Sequence, residues 1–198
     1  QRVRSARTLV VAVNGASLGN LDTRRYAEAR ARVAAGMTLL GPGIPMFFMG
    51  EEVGATEPYR YDDFINHREN FPALRQGAGA NLFRFYQDLI RLRLARPALR
   101  SRAIEIVHAH DANRVLAFWR WDGNQELLVI ASLNNRSFAD GYRIENARLA
   151  GNPWREIFNG DAPHYGGGGL ANAGAISPGG NALTVRLPAN SVLVLQRQ

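Results

Sequence analysis

The sequence predicts an α/β segment over residues 1–101 followed by an all-β antiparallel sandwich over residues 102–198. Three observations carry this. Up to Arg100 the apolar residues recur at helical spacing around one short, uninterrupted apolar run. Beyond Arg102 they fall into short strand-like stretches separated by turn residues. With 198 residues, 46% hydrophobic and 21% charged, the chain has enough apolar material to bury a core.

Residues 1–21 are poorly patterned. "TLVVAV" (8–13) predicts a short strand and "NGAS" (14–17) a turn; this apolar stretch is too short for the core of a secretory signal. From Thr23 to Leu40 a helix is expected: Asp22 or Thr23 serves as N-cap, Tyr26, Val33, Met37 and Leu40 share one face, and the alanines favour helix. Gly41 and Pro42 stop it. "IPMFFM" (44–49), lying between Gly/Pro and Gly50, predicts a strand buried on both faces. Residues 53–79 form a long irregular segment. A second helix is expected over Asn81–Ala95, with Leu82, Phe85, Leu89 and Leu92 on one stripe and Pro97 ending it.

Strands are then predicted at 103–107, 114–121, 126–133, 141–144, 154–158, 182–187 and 191–196. Asp122-Gly123 opens a hairpin turn. The stretch "GGGGLANAGAISPGG" (166–180) has the composition of a flexible loop and lacks the ending of a phosphate-binding loop.

Composition removes several function classes. There is no cysteine for disulfides or thiolate metal sites, and no apolar run approaches the ~20 residues of a membrane helix. The net charge of +7 raises nucleic acid as a partner, but all 24 basic residues are arginine, scattered among acidic ones, which fits codon bias better than phosphate contacts. Neither nucleic acid nor a membrane is expected as a partner. No cofactor and no metal are expected, and a cytoplasmic location is consistent with the absence of cysteine.

The chemistry-bearing feature is "GPGIPMFFMGEEVG" (41–54), an apolar run ending on Glu51 and Glu52. A strand flanked by helices, with acidic groups at its C-terminal tip and a long loop beyond, fits one stave of a (β/α)₈ barrel, where chemistry gathers at strand C-termini. In its letters the stretch resembles the last-strand motif of the α-amylase superfamily of glycoside hydrolases, G-x-P-x-x-[FY]-x-G-x-E. Gly43, Pro45, Phe48, Gly50 and Glu52 occupy its fixed places. "FYQDLIRLRLARPALR" (85–100) resembles the family's last barrel helix, and "LTVRLPANSVLVLQ" (183–196) is similar to the closing strands of its C-terminal sandwich. Within the family, "FMGEE" before a Pro-aromatic loop most resembles the 1,4-α-glucan branching enzymes and the maltooligosyltrehalose trehalohydrolases.

The resemblance implies the C-terminal part of a (β/α)₈ barrel followed by a sandwich, and an α-glucan (glycogen, starch-like or a maltooligosaccharide) as partner. The family's catalytic trio, an Asp nucleophile, a Glu acid/base and a stabilising Asp in an N-H-D-type motif, has no counterpart in these residues, so the fragment itself is expected to be inactive. Glu51 and Glu52 do not replace the trio. Retaining glycosidases need carboxyls about 5–5.5 Å apart, whereas consecutive strand residues point to opposite faces. Glu52 is expected to orient groups of a complete barrel; Glu51 is a candidate to bind substrate, though a solvated strand end, or a carboxylate partnering a nearby arginine, describes it better.

"EPYRYDDF" (57–64) interleaves rings and charges as sugar sites do, which makes Tyr59, Arg60, Tyr61, Asp62 and Asp63 candidate substrate-binding residues. A surface loop anchored by its rings is the ordinary alternative; Asn66, His67 and Arg68 are weaker candidates. His108 and His110 share a strand face, as in some metal sites, but lack a third ligand. Trp119, Trp121 and Trp154 fit core packing better than a sugar platform. The competing class is a non-catalytic carbohydrate-binding module. An isolated barrel stave would expose apolar faces, so self-association is expected.

Overall fold

The computed structural model describes residues 21–57, 65–66 and 69–198. Helix α1 (Leu21–Leu40) is followed by a 3₁₀ turn at Glu51–Val53, then by α2 (Phe71–Gln76), α3 (Ala80–Ala95) and the single turn α4 (Pro97–Arg100). Eight strands complete the chain: β1 (Ile104–His110), β2 (Val115–Asp122), β3 (Gln125–Ser132), β4 (Phe138–Glu145), β5 (Trp154–Asn159), β6 (Ala175–Ile176), β7 (Ala182–Leu187) and β8 (Ser191–Arg197). Six of them form an antiparallel sheet in the order β1-β2-β3-β8-β5-β6, and β4 pairs with β7 in a second sheet. Gly123, at φ +54°, leads the tight turn that registers Asp122 opposite Gln125.

Alternation along the strands builds three layers. Leu128 and Ile130 of β3, with Leu193 and Leu195 of β8, meet Tyr142, Ile144, Leu183 and Val185 of the smaller sheet. The intervening residues Leu127, Val129, Val192 and Val194 face the other way, onto Leu39 and Leu40 of α1 and Phe85 and Leu89 of α3. The large sheet is therefore buried on both faces at its centre, which is why β3 and β8 read as unbroken apolar runs. Gly36 lets α1 lie close on the sheet: a Cβ there would stand 2.6 Å from Val192 Cγ1.

Three buried arginines join helices to sheet. Arg120, fully buried on β2, donates to the carbonyls of Leu40, Ala103 (2.8 Å), Leu99 (3.2 Å) and Ser101 (2.7 Å). Arg93 donates to Leu39 (2.6 Å), Gly41 (3.1 Å) and Gly43 (2.6 Å). Both guanidiniums thus sit at the C-terminal end of α1, where exposed carbonyls favour cations. Burial first, and then Arg93, lowers Arg120 to about 10, so it stays charged near neutrality. Arg32 on α1 donates to Gly160 (3.2 Å) and Tyr165 (2.9 Å).

Several expectations need correction. Residues 44–49 form no strand; Ile44 is 98% and Met46 85% exposed. A parallel stave needs hydrogen-bonded neighbours on its edges, and among the described residues none lies beside it. The barrel portion is therefore not observed as a barrel, while the antiparallel sandwich is. The second helix does end before Pro97, as expected, and Pro97 then starts the separate turn α4, a favourable place for proline. The irregular stretch 53–79 contains α2, capped by Asn70, whose side chain accepts from Ala73 N–H at 3.0 Å. The glycine-rich loop is held rather than loose: Asp161 accepts from Gly168 N–H (2.8 Å) and Leu170 N–H (3.0 Å). Gly167 packs so tightly that a Cβ would stand 2.0 Å from Asp161 O. Strand β6 lies in that stretch as well. The strand expected at 8–13 lies outside the described residues.

Candidate functional site

The acidic pair sits on the 3₁₀ turn, bracketed by Gly50 (φ +99°) and Gly54 (φ +63°). Only glycine adopts the Gly50 conformation without strain, and it lets Ala55 N–H reach back to Gly50 O at 2.9 Å. The expected strand geometry is thus replaced by a turn, in which neighbouring side chains diverge by about 120°. They diverge in partners too. Glu52 Oε2 accepts from Gly50 N–H at 2.9 Å. Glu51 hydrogen-bonds the hydroxyl of Tyr86 on α3, itself buried.

Electrostatics separates the two positions further. Burial, and after it the charge of Glu52, raises the Glu51 carboxyl above its usual range, against the opposing hydrogen bonds from the Phe48 backbone and from Tyr86. Burial, followed by the charges of Glu51 and Glu52, raises the Tyr86 phenol well above its usual value and keeps it a donor. Phe47 covers this pair, its ring centroid 5.1 Å from that of Tyr86. The segment therefore presents two carboxylates tied to its own backbone, of which Glu51 is also tied to a tyrosine. Such groups can orient hydroxyls or position a neighbour. They do not form a nucleophile and acid flanking one bond.

Beside Glu52 lies a cavity of about 500 Å³ that also touches Phe71, Arg75, Phe83, Arg84 and Gln87. The Arg75 guanidinium stands 4.4 Å over the Phe83 ring. Thr56 N–H donates to Glu69 Oε1 at 2.9 Å. The candidates Tyr59, Arg60, Tyr61, Asp62 and Asp63 lie outside the described residues, as do His67 and Arg68. Asn66 is described and exposed.

The remaining motifs resolve as scaffold. His108 and His110 stack with centroids 6.2 Å apart; His108 Nε2 is 2.8 Å from Tyr142 Oη, and His110 Nδ1 accepts from Asn113 N–H at 3.1 Å. Among the described residues no group of three or more His, Cys, Asp or Glu is placed to hold a metal. Trp119 and Trp121 stack at 4.1 Å and face the smaller sheet, and Trp154 is fully buried with Nε1–H donating to Leu149 O at 3.3 Å. Tyr86 was legible in the sequence only as part of an apolar stripe. Its partnership with Glu51 needs α3 folded back beside the turn, which no spacing encodes.

An antiparallel sandwich with two helices on its outer face, preceded by a glycine-bracketed acidic turn, defines the class. Residues 106–198 match the family of α-amylase C-terminal all-β domains. Residues 106–198 therefore belong to that family of C-terminal domains, and the chain as a whole is similar to enzymes of the α-amylase superfamily. It is 33% identical over 207 aligned residues to the 1,4-α-glucan branching enzyme GlgB 2 of Xanthomonas campestris pv. campestris, an alignment covering 96% of this chain and 27% of that protein. The α-amylase from H. orenii superposes with a TM-score of 0.60 at 26% identity, covering 90% of this chain and 37% of that one. A debranching enzyme from Nostoc punctiforme shares the fold, with a TM-score of 0.67 at 22% identity over 98% of this chain and 34% of that one. The chain spans about a quarter of the length of the curated relatives it matches. Among the described residues no helix is long and apolar enough to cross a membrane.

Proposed function

We propose that this chain is the C-terminal part of an α-glucan-active enzyme, foremost a 1,4-α-glucan branching enzyme. The observation that carries this reading is the similarity to such an enzyme across nearly the whole chain, the acidic turn and the sandwich alike. In the complete enzyme an aspartate supplied by earlier barrel strands attacks the anomeric carbon, and a glutamic acid protonates the leaving glycosidic oxygen. The covalent glycosyl intermediate then passes to an acceptor with overall retention. A sugar 6-hydroxyl as acceptor makes an α-1,6 branch; water gives hydrolysis.

In this reading residues 1–101 complete the barrel and residues 102–198 form the sandwich. Residues 44–49 take up their strand only between neighbouring staves, and Glu52, tied to Gly50 N–H, orients groups at the barrel rim. Glu51, Tyr59, Arg60, Tyr61, Asp62 and Asp63 contact glucan. Left without those staves, the exposed residues of 44–49 drive self-association. A cytoplasmic location is part of this reading and is compatible with a chain without cysteine.

The test is to incubate the full-length enzyme with linear amylose and follow the proton NMR signal of α-1,6 linkages. Growth of that signal supports branching, and new reducing ends alone identify a hydrolase. Neither product leaves a non-catalytic binding module. The 198-residue chain is expected to turn over nothing, and measurable catalysis by it would overturn the assignment of the reacting acids to other strands.

A further inference from the structure

Helix α1 presents two faces. Ala27, Ala31, Ala35 and Leu39 pack inward, whereas Tyr26, Arg30, Val33 and Met37, at the i, i+4, i+7 and i+11 spacing of a second face, line the wall of a groove. Loops of the sandwich make the other wall: Arg114 in the β1–β2 turn, Leu133 and Asn135 after β3, and Asn190 before β8. This part encloses about 400 Å³ and leaves Leu133 45% exposed. A neighbouring cavity of about 600 Å³ shares Asn135 and Asn190, and carries the groove back to Arg25, Tyr26 and the Asp161 loop. From Arg25 to Met37 the groove follows α1 for about 18 Å.

Its charge is one-sided. Arg25, Arg30, Arg32 and Arg114 stand against Asp161, the one carboxylate among the lining residues. Each Asp161 oxygen already accepts a backbone N–H, from Gly168 (2.8 Å) and Leu170 (3.0 Å), and Arg25 lies on that side, beside Gly168. Arg32 is occupied by the Gly160 and Tyr165 carbonyls. Arg30 donates to the neutral Asn135 Oδ1 at 3.2 Å, and Arg114, at φ +51°, stands on the far rim. Among the described residues neither Arg30 nor Arg114 has a carboxylate partner. The floor between these cations is apolar, built from Ala29, Val33, Ala34, Met37 and Leu133.

Cations on both rims of an apolar floor discriminate among occupants. A nucleic-acid backbone satisfies the rims and leaves the floor uncovered. A second copy of this chain, at net charge +7, brings like charge to the rims. A helix with an apolar stripe flanked by carboxylates satisfies both, and 18 Å corresponds to about 12 of its residues. We propose that the groove docks an acidic amphipathic helix of a partner protein, its apolar stripe on Val33, Ala34, Met37 and Leu133 and its carboxylates on Arg30 and Arg114. The proposal does not depend on which glucan reaction the complete enzyme performs. What it adds is recruitment of a second protein to the junction of α1 and the sandwich.

The test is fluorescence anisotropy of a labelled peptide of about 15 residues, leucines at helical spacing flanked by glutamates, titrated with the 198-residue chain and with the full-length enzyme. The expected result is a Kd of about 10 µM with both proteins, and none measurable when lysine replaces every glutamate. Binding should weaken about tenfold or more in the double variant Arg30→Glu, Arg114→Glu, and likewise in Ala34→Gln, which sets a polar chain on the floor. Thermal midpoints within about 2 °C of the parent verify folding of each. Raising NaCl from about 50 to about 500 mM should weaken the parent's own binding severalfold, a reading that needs no variant. Equal binding by parent and variants, or none by the parent up to about 200 µM, overturns the groove as a docking site. Binding by the 198-residue chain but not by the full-length enzyme overturns the partner, because the enzyme's own preceding residues then cover the groove. Displacement of the peptide by a single-stranded oligonucleotide at lower concentration than by unlabelled peptide overturns a protein occupant in favour of nucleic acid.

Discussion

β3 and residues 44–49 are both uninterrupted apolar runs, yet Leu127 to Ala131 are fully buried while Ile44 and Met46 are almost wholly exposed. β3 is hydrogen-bonded to β2 on one edge and β8 on the other. Its two faces meet α1 and α4 on one side and the smaller sheet on the other. Residues 44–49 have Phe47 against Tyr86, and no strand among the described residues on either edge. Apolar character supplies the tendency to be buried. Whether burial happens depends on two edges and two faces being present, and those come from elsewhere in a chain.

The largest effect is expected at the arginine that ties the C-terminal end of α1 to the large sheet. Arg120→Met removes the donor to four buried or partly buried carbonyls and is expected to lower unfolding free energy by about 3–5 kcal/mol. A urea midpoint followed by circular dichroism reads this directly; an unshifted midpoint would mean that water takes over those carbonyls.

Truncating matched apolar residues sharpens the comparison. Leu193→Ala, in the fully buried centre of the sandwich, is expected to cost about 2–5 kcal/mol. Ile44→Ala should stay within about 0.5 kcal/mol, because its side chain is already in water. Comparable losses at both sites would show that residues 44–49 are packed in solution.

A smaller effect on stability but a visible one on assembly is expected for the double substitution of Met46 and Phe48 by glutamate. The unfolding free energy should change by less than about 0.5 kcal/mol, while light scattering should shift to smaller species. An unchanged mass distribution would remove 44–49 as the self-associating surface.

The least effect concerns pH. Burial, and then His110, lowers the His108 pKa below its ordinary 6.5. The unfolded chain therefore binds the proton more readily. The contribution of a neutral His108 is complete above about pH 6.5 and declines as pH falls toward the lowered folded value. Thermal midpoints at pH 5 and pH 8 should differ less in a His108→Asn variant than in the parent; an equal slope would exonerate this imidazole.

Much of the architecture was legible. The helix expected over Thr23–Leu40 runs from Leu21 to Leu40, and that over Asn81–Ala95 from Ala80 to Ala95. All seven expected sandwich strands occur, β1 and β4 longer than predicted because His108–His110 and Phe138–Asp140 carry no apolar alternation to announce them. The motif around Gly43 to Glu52 was read correctly as a family signature and incorrectly as a strand here. Its glycines favour a turn once no neighbouring strand competes. The candidate site was less legible. Tyr86, Arg93 and Arg120 looked like ordinary helix and strand residues, and their roles at Glu51 and at the end of α1 depend on contacts across 35 to 80 positions of sequence.

Local spacing and capping chemistry settled which residues become helix or sandwich strand, since those choices depend on neighbours a few positions away. The packing of both helices on the outer face of the large sheet, the burial of three arginines against backbone carbonyls, the opening of a cleft along α1 and the exposure of 44–49 were decided only in three dimensions. Each depends on which surfaces meet, and desolvation acts on surfaces that distant segments bring together.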